Sequence, residues 1–194
     1  MNKENNNYRL LAVLLIAVVA VISRFAGPTI MGDAANFAPV NAIALFCGAL
    51  IGRRWLGIII PLLFVWIGDI VVNYSYYGSI VLFYDGFYWQ YASYALIAVI
   101  GAGLLQKKQS VLRVLGGGLA ASISFYLISN FGVWAGGMYG YTMEGLINCY
   151  AMAIPFFRNT LASDMIYVPV LFGSLALVRY YRPDWVLSKQ TVQA

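Results

Sequence analysis

Two carboxylates stand inside apolar runs, Asp69 at the end of "PLLFVWIGD" and Asp164 within "RNTLASDMIYVPVLFG". An ionisable side chain at depth in hydrocarbon costs several kcal/mol, so such groups face a bundle interior or cavity and mark a path or a site. Arg24, Arg158, Asn36, Asn41, Asn130 and Asn159 also stand in or beside apolar segments. Two chemistries fit these residue types. A carboxylate pair could serve an intramembrane aspartyl-type enzyme, although "WIGD" lacks the first glycine of a GxGD pattern. Amides and carboxylates spread over several helices could instead hold the polar groups of a small solute, with no catalytic residue and no cofactor.

The absence of histidine removes the usual haem ligand, HExxH metalloproteases and Ser-His or Cys-His nucleophilic pairs. Cys47 and Cys149 are too few for a metal centre, and they fall at different depths, so no metal site and no disulfide is expected. The net charge of +5 comes from residues scattered at segment ends, not from a basic patch, so nucleic acid is not an expected partner.

The elements that must position these groups are membrane helices. Of the 194 residues, 62% are hydrophobic and 10% charged, and the mean hydropathy is +0.77. That is too little polar surface for a soluble domain, and the apolar blocks are too long for barrel strands. The expected fold is an all-α integral membrane protein forming a single transmembrane domain over residues 1–194. Its six spans lie at about 10–26, 37–52, 55–73, 89–105, 111–131 and 156–178. The first is read as an uncleaved span. With both termini cytoplasmic, the basic joints "GRRW" and "QKKQSVLR" fall inside, and only Arg24 and Arg158 fall outside. A short interfacial helix, "EGLINCYAMAI", precedes the sixth span and is expected to end at Pro155. Small residues at helical spacing, Ala44 with Gly48 and Gly117 with Ala121, favour a compact bundle.

Counting 1.5 Å per residue from the basic ends places Arg24, Asp69 and Asp164 about 22 Å above the inner boundary, with Asn36, Gln90 and Asn130 at about 25 Å and Asn41 at about 18 Å. This defines a polar stratum in the outer third, with Arg158 at its lip. Thr160, Ser163, Asp164 and Tyr167 share one helical face. The outer joints are dense in aromatics. Trp134 is placed to cover a ligand, and Tyr76, Tyr77, Tyr84 and Tyr139 form a candidate lid with Gly136, Gly137 and Gly140 as its hinges.

Four stretches together carry a resemblance: "NFAPVNAIALFCGA", "PLLFVWIGD", "SNFGVWAGGMYGYTMEGLINCYAMAIPFF" and "RNTLASDMIYVPVLFG". They resemble an uncharacterised bacterial family of membrane transport proteins, distantly similar to the substrate-binding S components of energy-coupling-factor vitamin transporters. The resemblance implies a six-helix S-component-like bundle in the bacterial cytoplasmic membrane, binding a vitamin-sized solute in an outward-facing pocket. The motif positions include Asn36, Asp69, Asn130, Trp134, Asn159 and Asp164, which with Asn41 and Arg158 make the candidate ligand-binding set. The chain departs from the pattern in two places. "GDAANF" stands where relatives carry a His-Pro-Pro-like stretch, and the first span lacks the A-x-x-x-A pattern used to dock on a shared energising ATPase module. A ligand-free accessory subunit is a further alternative.

Overall fold

The computed structural model describes residues 36–51 and 54–181, without the side chains of Arg54 and Tyr76. The expected first span at 10–26, Arg24, Arg53 and both termini lie outside the described residues. What is described is all-helical: α1 Val40–Leu50, α2 Arg54–Tyr77, α3 Phe87–Leu105, α4 Val111–Ala135, α5 Met143–Met152 and α6 Ile154–Tyr181. Four of these, α2, α3, α4 and α6, are long and apolar enough to cross a membrane. At 1.5 Å per residue their lengths run from about 28 to 42 Å, against a hydrocarbon core of roughly 30 Å.

α2, α3, α4 and α6 surround α1 and pack in that order, with α5 laid across α4 and α6. Val40 to Ala49 are all buried, so α1 is the core of the bundle. Two glycines set its closest approach. A Cβ on Gly48 would strike the Ala98 carbonyl of α3, and one on Gly101 of α3 would strike the Leu45 carbonyl of α1. Lipid tails are as apolar as leucine, so membrane helices associate through close packing of this kind instead of by escape from water. Gly117 and Ala121 are buried as the small-residue pattern requires, whereas Gly116 meets nothing within 4 Å. On the periphery, Ile59, Leu63, Ile67 and Val71 form an exposed i, i+4 stripe along α2, the face a bilayer would cover.

Two sequence expectations change here. The second segment was expected to run as a span from 37 to 52, but its helix has only 11 residues and ends at an extended Ile51. That is about 16 Å, short of a full crossing by itself. The cause lies in the flanks. Asn36 adopts φ 69° and Pro39 is the N-cap, so the chain enters the bundle as a non-helical arm before α1 begins. The short outer helix is present as α5, capped by the Thr142 side chain, which accepts from the Gly145 N–H at 3.0 Å. Pro155 does not end it. The break falls at Ala153, and Pro155 occupies the first turn of α6, where a proline leaves no helical hydrogen bond unmade.

The bundle has two distinct ends. Lys107, Lys108, Arg113 and Arg179 gather where α3 ends, α4 begins and α6 ends, and the Arg179 guanidinium donates to Gln109 Oε1 at 2.7 Å. The opposite end, formed by the close of α2 and α4 and the start of α3 and α6, is the aromatic one.

Candidate functional site

Asp164, on α6, is 0% exposed in the apolar interior of the bundle, where a carboxylate is costly. Its partners come from two other helices. Asn41 Nδ2, one residue into α1, donates to Asp164 Oδ2 at 3.0 Å. Ser122 Oγ, midway along α4, lies 2.6 Å from the same oxygen and 3.2 Å from the Gly118 carbonyl of its own helix. Asp164 Oδ1 has no hydrogen-bond partner among the described residues. One residue earlier, Ser163 Oγ donates to the Ala38 carbonyl at 2.9 Å and ties the arm before α1 to α6. The face predicted from Thr160, Ser163, Asp164 and Tyr167 is the inward face. The first three are buried, and the Tyr167 ring meets Phe37 at 6.0 Å.

A second polar cluster lies toward the aromatic end. Asp69 of α2, 3% exposed, accepts from the Tyr91 hydroxyl of α3 at 2.9 Å. Beside Tyr91 on α3, Gln90 Oε1 accepts from the Tyr84 hydroxyl at 2.7 Å, and Gln90 Nε2 donates to the hydroxyl of Tyr94, one turn further on, at 3.2 Å. The Tyr94 ring stacks on Phe125 of α4 at 5.4 Å. Among the described residues Asp69 accepts from α3 and Asp164 from α1 and α4, so equal depth counted along the sequence does not by itself make them a pair.

The other expected site residues distribute unevenly. Asn159 is half-buried in the first turns of α6, while Asn36 and Arg158 are exposed near the same end of the bundle. Asn130 spends its side-chain donor on the Tyr126 carbonyl of its own helix at 2.8 Å, and Trp134 Nε1 donates to the Thr142 carbonyl at 3.2 Å. The Trp134 bond braces the α4–α5 connection, and the Asn130 bond stays within α4. Of the expected lid, Tyr77 is exposed and Tyr139 half-buried, Tyr84 belongs to the Gln90 chain, and the Tyr76 side chain lies outside the described residues. The segment 78–86 is pinned against α2 by Asn73 Nδ2 donating to the Val81 carbonyl and by Trp66 Nε1 donating to the Leu82 carbonyl, both at 3.1 Å. Gly78 and Gly86, at φ 64° and 77°, supply the left-handed turns that bound it.

Sequence reasoning missed Ser122 and the Tyr91 to Asp69 bond. A serine in a membrane helix ordinarily bonds back to its own turn, as Ser122 does to Gly118, so it carries no outward signal. Among the described residues no group of three or more His, Cys, Asp or Glu side chains converges to hold a metal ion. Cys149, on α5, donates to the Asn130 carbonyl at 3.3 Å, and burial pushes its thiol above the ordinary range. A shallow apolar groove of about 170 Å³ lies between α2 and α3, lined by Ile58, Ala98, Val99, Ala102 and Gly103, toward the basic end and away from both polar clusters.

A family model matches residues 4–185, almost the whole chain. The chain belongs to the DUF6580 family, a family of unknown function. No curated protein and no solved structure matches it. The match to DUF6580 takes in both polar clusters and all six described helices together, so the buried carboxylates lie within the family domain and not on an appendage.

Proposed function

We propose that the protein is a membrane transport protein that binds a small, vitamin-like solute at the aromatic end of its bundle for uptake across a bacterial cytoplasmic membrane. The observation that carries this reading is the burial of two carboxylates, Asp69 and Asp164, inside helices long and apolar enough to cross a membrane. Neither burial helps helices associate more than an apolar side chain of similar volume would, so a functional use is the better account. Asp69, Asn159, Asn36 and Arg158 are the residues at that end to fix polar groups of the solute. Trp134 and the tyrosines supply flat apolar surface, the combination small-molecule sites use. Asn41 and Asp164 form the floor beneath it, bonded across α1, α4 and α6. The outer orientation of the aromatic end follows from the cations at the other end. The bundle would deliver the solute inward alone or with a partner, the S-component resemblance pointing to an energising ATPase module for that role.

The carboxylate-pair enzyme is the weaker reading, because among the described residues Asp69 accepts from α3 and Asp164 from α1 and α4. The test is thermal unfolding of the purified chain in lipid micelles against a panel of vitamins and related ring-bearing solutes. A solute present at a hundred times its Kd should stabilise the folded chain by about 2.7 kcal/mol. That gain should vanish in Asp69→Asn. If no solute in the panel shifts the transition, the protein is a ligand-free accessory subunit. If a cleaved peptide or lipid accumulates and depends on either aspartate, it is an enzyme.

A further inference from the structure

We infer that Asp164 is a proton-binding site, with the acid O–H on Oδ2 donating to Ser122 while α1, α4 and α6 are closed around it. The hydrogen count at Ser122 leads there. Its hydroxyl has one hydrogen, yet its oxygen is within bonding distance of two acceptors, Asp164 Oδ2 at 2.6 Å and the Gly118 carbonyl at 3.2 Å. With a carboxylate at position 164, one of those contacts has no hydrogen in it. With a carboxylic acid, Asp164 donates to Ser122 Oγ, Ser122 donates to Gly118, and Asn41 Nδ2 still donates to Oδ2 at 3.0 Å. Every short contact then holds one hydrogen.

The empty side of the carboxyl agrees. Asp164 Oδ1 is buried without a partner among the described residues. In the acid it is a neutral carbonyl oxygen, a group whose under-satisfaction is tolerated. In the anion it would share a full charge with no donor to it among the described residues, a buried charge left uncompensated on that side.

Among the described residues, no charge from a neighbouring element offsets the cost of the anion. Cys47 of α1 is buried among Ile43 and Leu171. On α4, Tyr126 donates to the Tyr150 carbonyl and Arg113 to the Leu104 carbonyl at the basic end. On α5, Cys149 and Tyr150 donate to carbonyls of α4, and Glu144 is exposed in its first turn. On α6 itself, Arg158 is exposed, Tyr167 packs on Phe37 and Arg179 bonds Gln109. Asp164 makes no ion pair among the described residues.

Release of the proton has a defined course. The Oδ2–H bond breaks with its electron pair left on the carboxylate, the Ser122 hydrogen turns from Gly118 to Oδ2, and the proton passes to water once the helices part. The closed form thus holds one more proton than an open form in which water solvates the carboxylate, so rising pH favours opening. The use of this step in coupled uptake rests on the transport reading; the protonation does not, and it is measurable with no solute present.

The test is infrared spectroscopy of the full chain in lipid, labelled with carbon-13 aspartate. At neutral pH the wild type should show the carbonyl stretch of a protonated aspartic acid. That band should be absent from Asp164→Asn, present in Asp69→Asn, and displaced in Ser122→Ala, where the acid loses its acceptor. Amide exchange in residues 118–126 and 160–168, corrected for intrinsic rate, should rise with pH in the wild type and stay flat in Asp164→Asn. If Asp164→Asn does not fold, the displacement in Ser122→Ala makes the assignment. A spectrum with only carboxylate at neutral pH, or a band unmoved by Ser122→Ala, overturns the inference.

Discussion

Replacing Ser122 by alanine asks how strongly the bundle holds Asp164, and the size of the answer separates two charge states. Both side chains are 0% exposed and their oxygens lie 2.6 Å apart, so the substitution removes one fully buried hydrogen bond and little volume. If Asp164 is a neutral acid, the bond is an ordinary one between uncharged groups. The expected loss is about 1 kcal/mol, and interhelical bonds in membranes average nearer 0.6 kcal/mol. If Asp164 were a carboxylate, Ser122 would be one of only two donors to a buried charge, and removing a partner from such a charge costs about 3–5 kcal/mol. The assay is reversible unfolding of the purified chain in bicelles, with Asn41→Ala measured beside it and the double variant closing the cycle. A loss near 1 kcal/mol for Ser122→Ala fits the neutral, three-helix node. A loss of 3 kcal/mol or more refutes that reasoning, because a neutral acid has no such energy to lose.

Other consequences are independent of that node. Gly48→Ala or Gly101→Ala should destabilise the bundle by about 1–3 kcal/mol, since each new methyl meets a carbonyl of the facing helix, whereas Gly116→Ala should leave thermal unfolding unchanged or slightly raised. Asn73→Ala should free the segment 78–86 without unfolding the helices, seen as new protease cleavage between Gly78 and Gly86. Cys149 should stay unlabelled by a maleimide in the folded protein even at pH values near the ordinary thiol range of about 8.5, because it is 2% exposed and its thiol is pushed up by burial; rapid labelling would contradict the packing of α5 on α4.

The long helices were legible because each apolar run is bounded by basic or aromatic joints, and α2, α3, α4 and α6 contain the runs read at 55–73, 89–105, 111–131 and 156–178. Asp69 and Asp164 were legible for the same reason: a carboxylate in such a run must turn inward. What failed was register. Depth counted from Arg113 sets Ser122 only about 14 Å up, well below Asp164 at about 22 Å. The Arg179 to Gln109 bond shows that the proper zero on α4 lies four residues earlier, and from there Ser122 rises about 20 Å to meet Asp164. That contact is between side chains 70 residues apart and has no local signature. Asn130 was assigned to the pocket on depth and on the resemblance, neither of which carries the bond its side chain makes to the Tyr126 carbonyl of its own helix. The short α1 was obscured because the apolar run at 37–52 is long enough to read as a span, whereas Pro39 and Asn41 within it are the N-cap and the inward anchor of a buried 11-residue helix.

The central claim is that the buried carboxylates serve solute transport, and uptake measures it most directly. Cells expressing the full chain should accumulate a labelled solute chosen from the stabilising members of the panel, and Asp69→Asn and Asp164→Asn, each present in the membrane at wild-type level, should abolish that accumulation. Uptake of every tested solute at the wild-type rate in both variants would contradict the account.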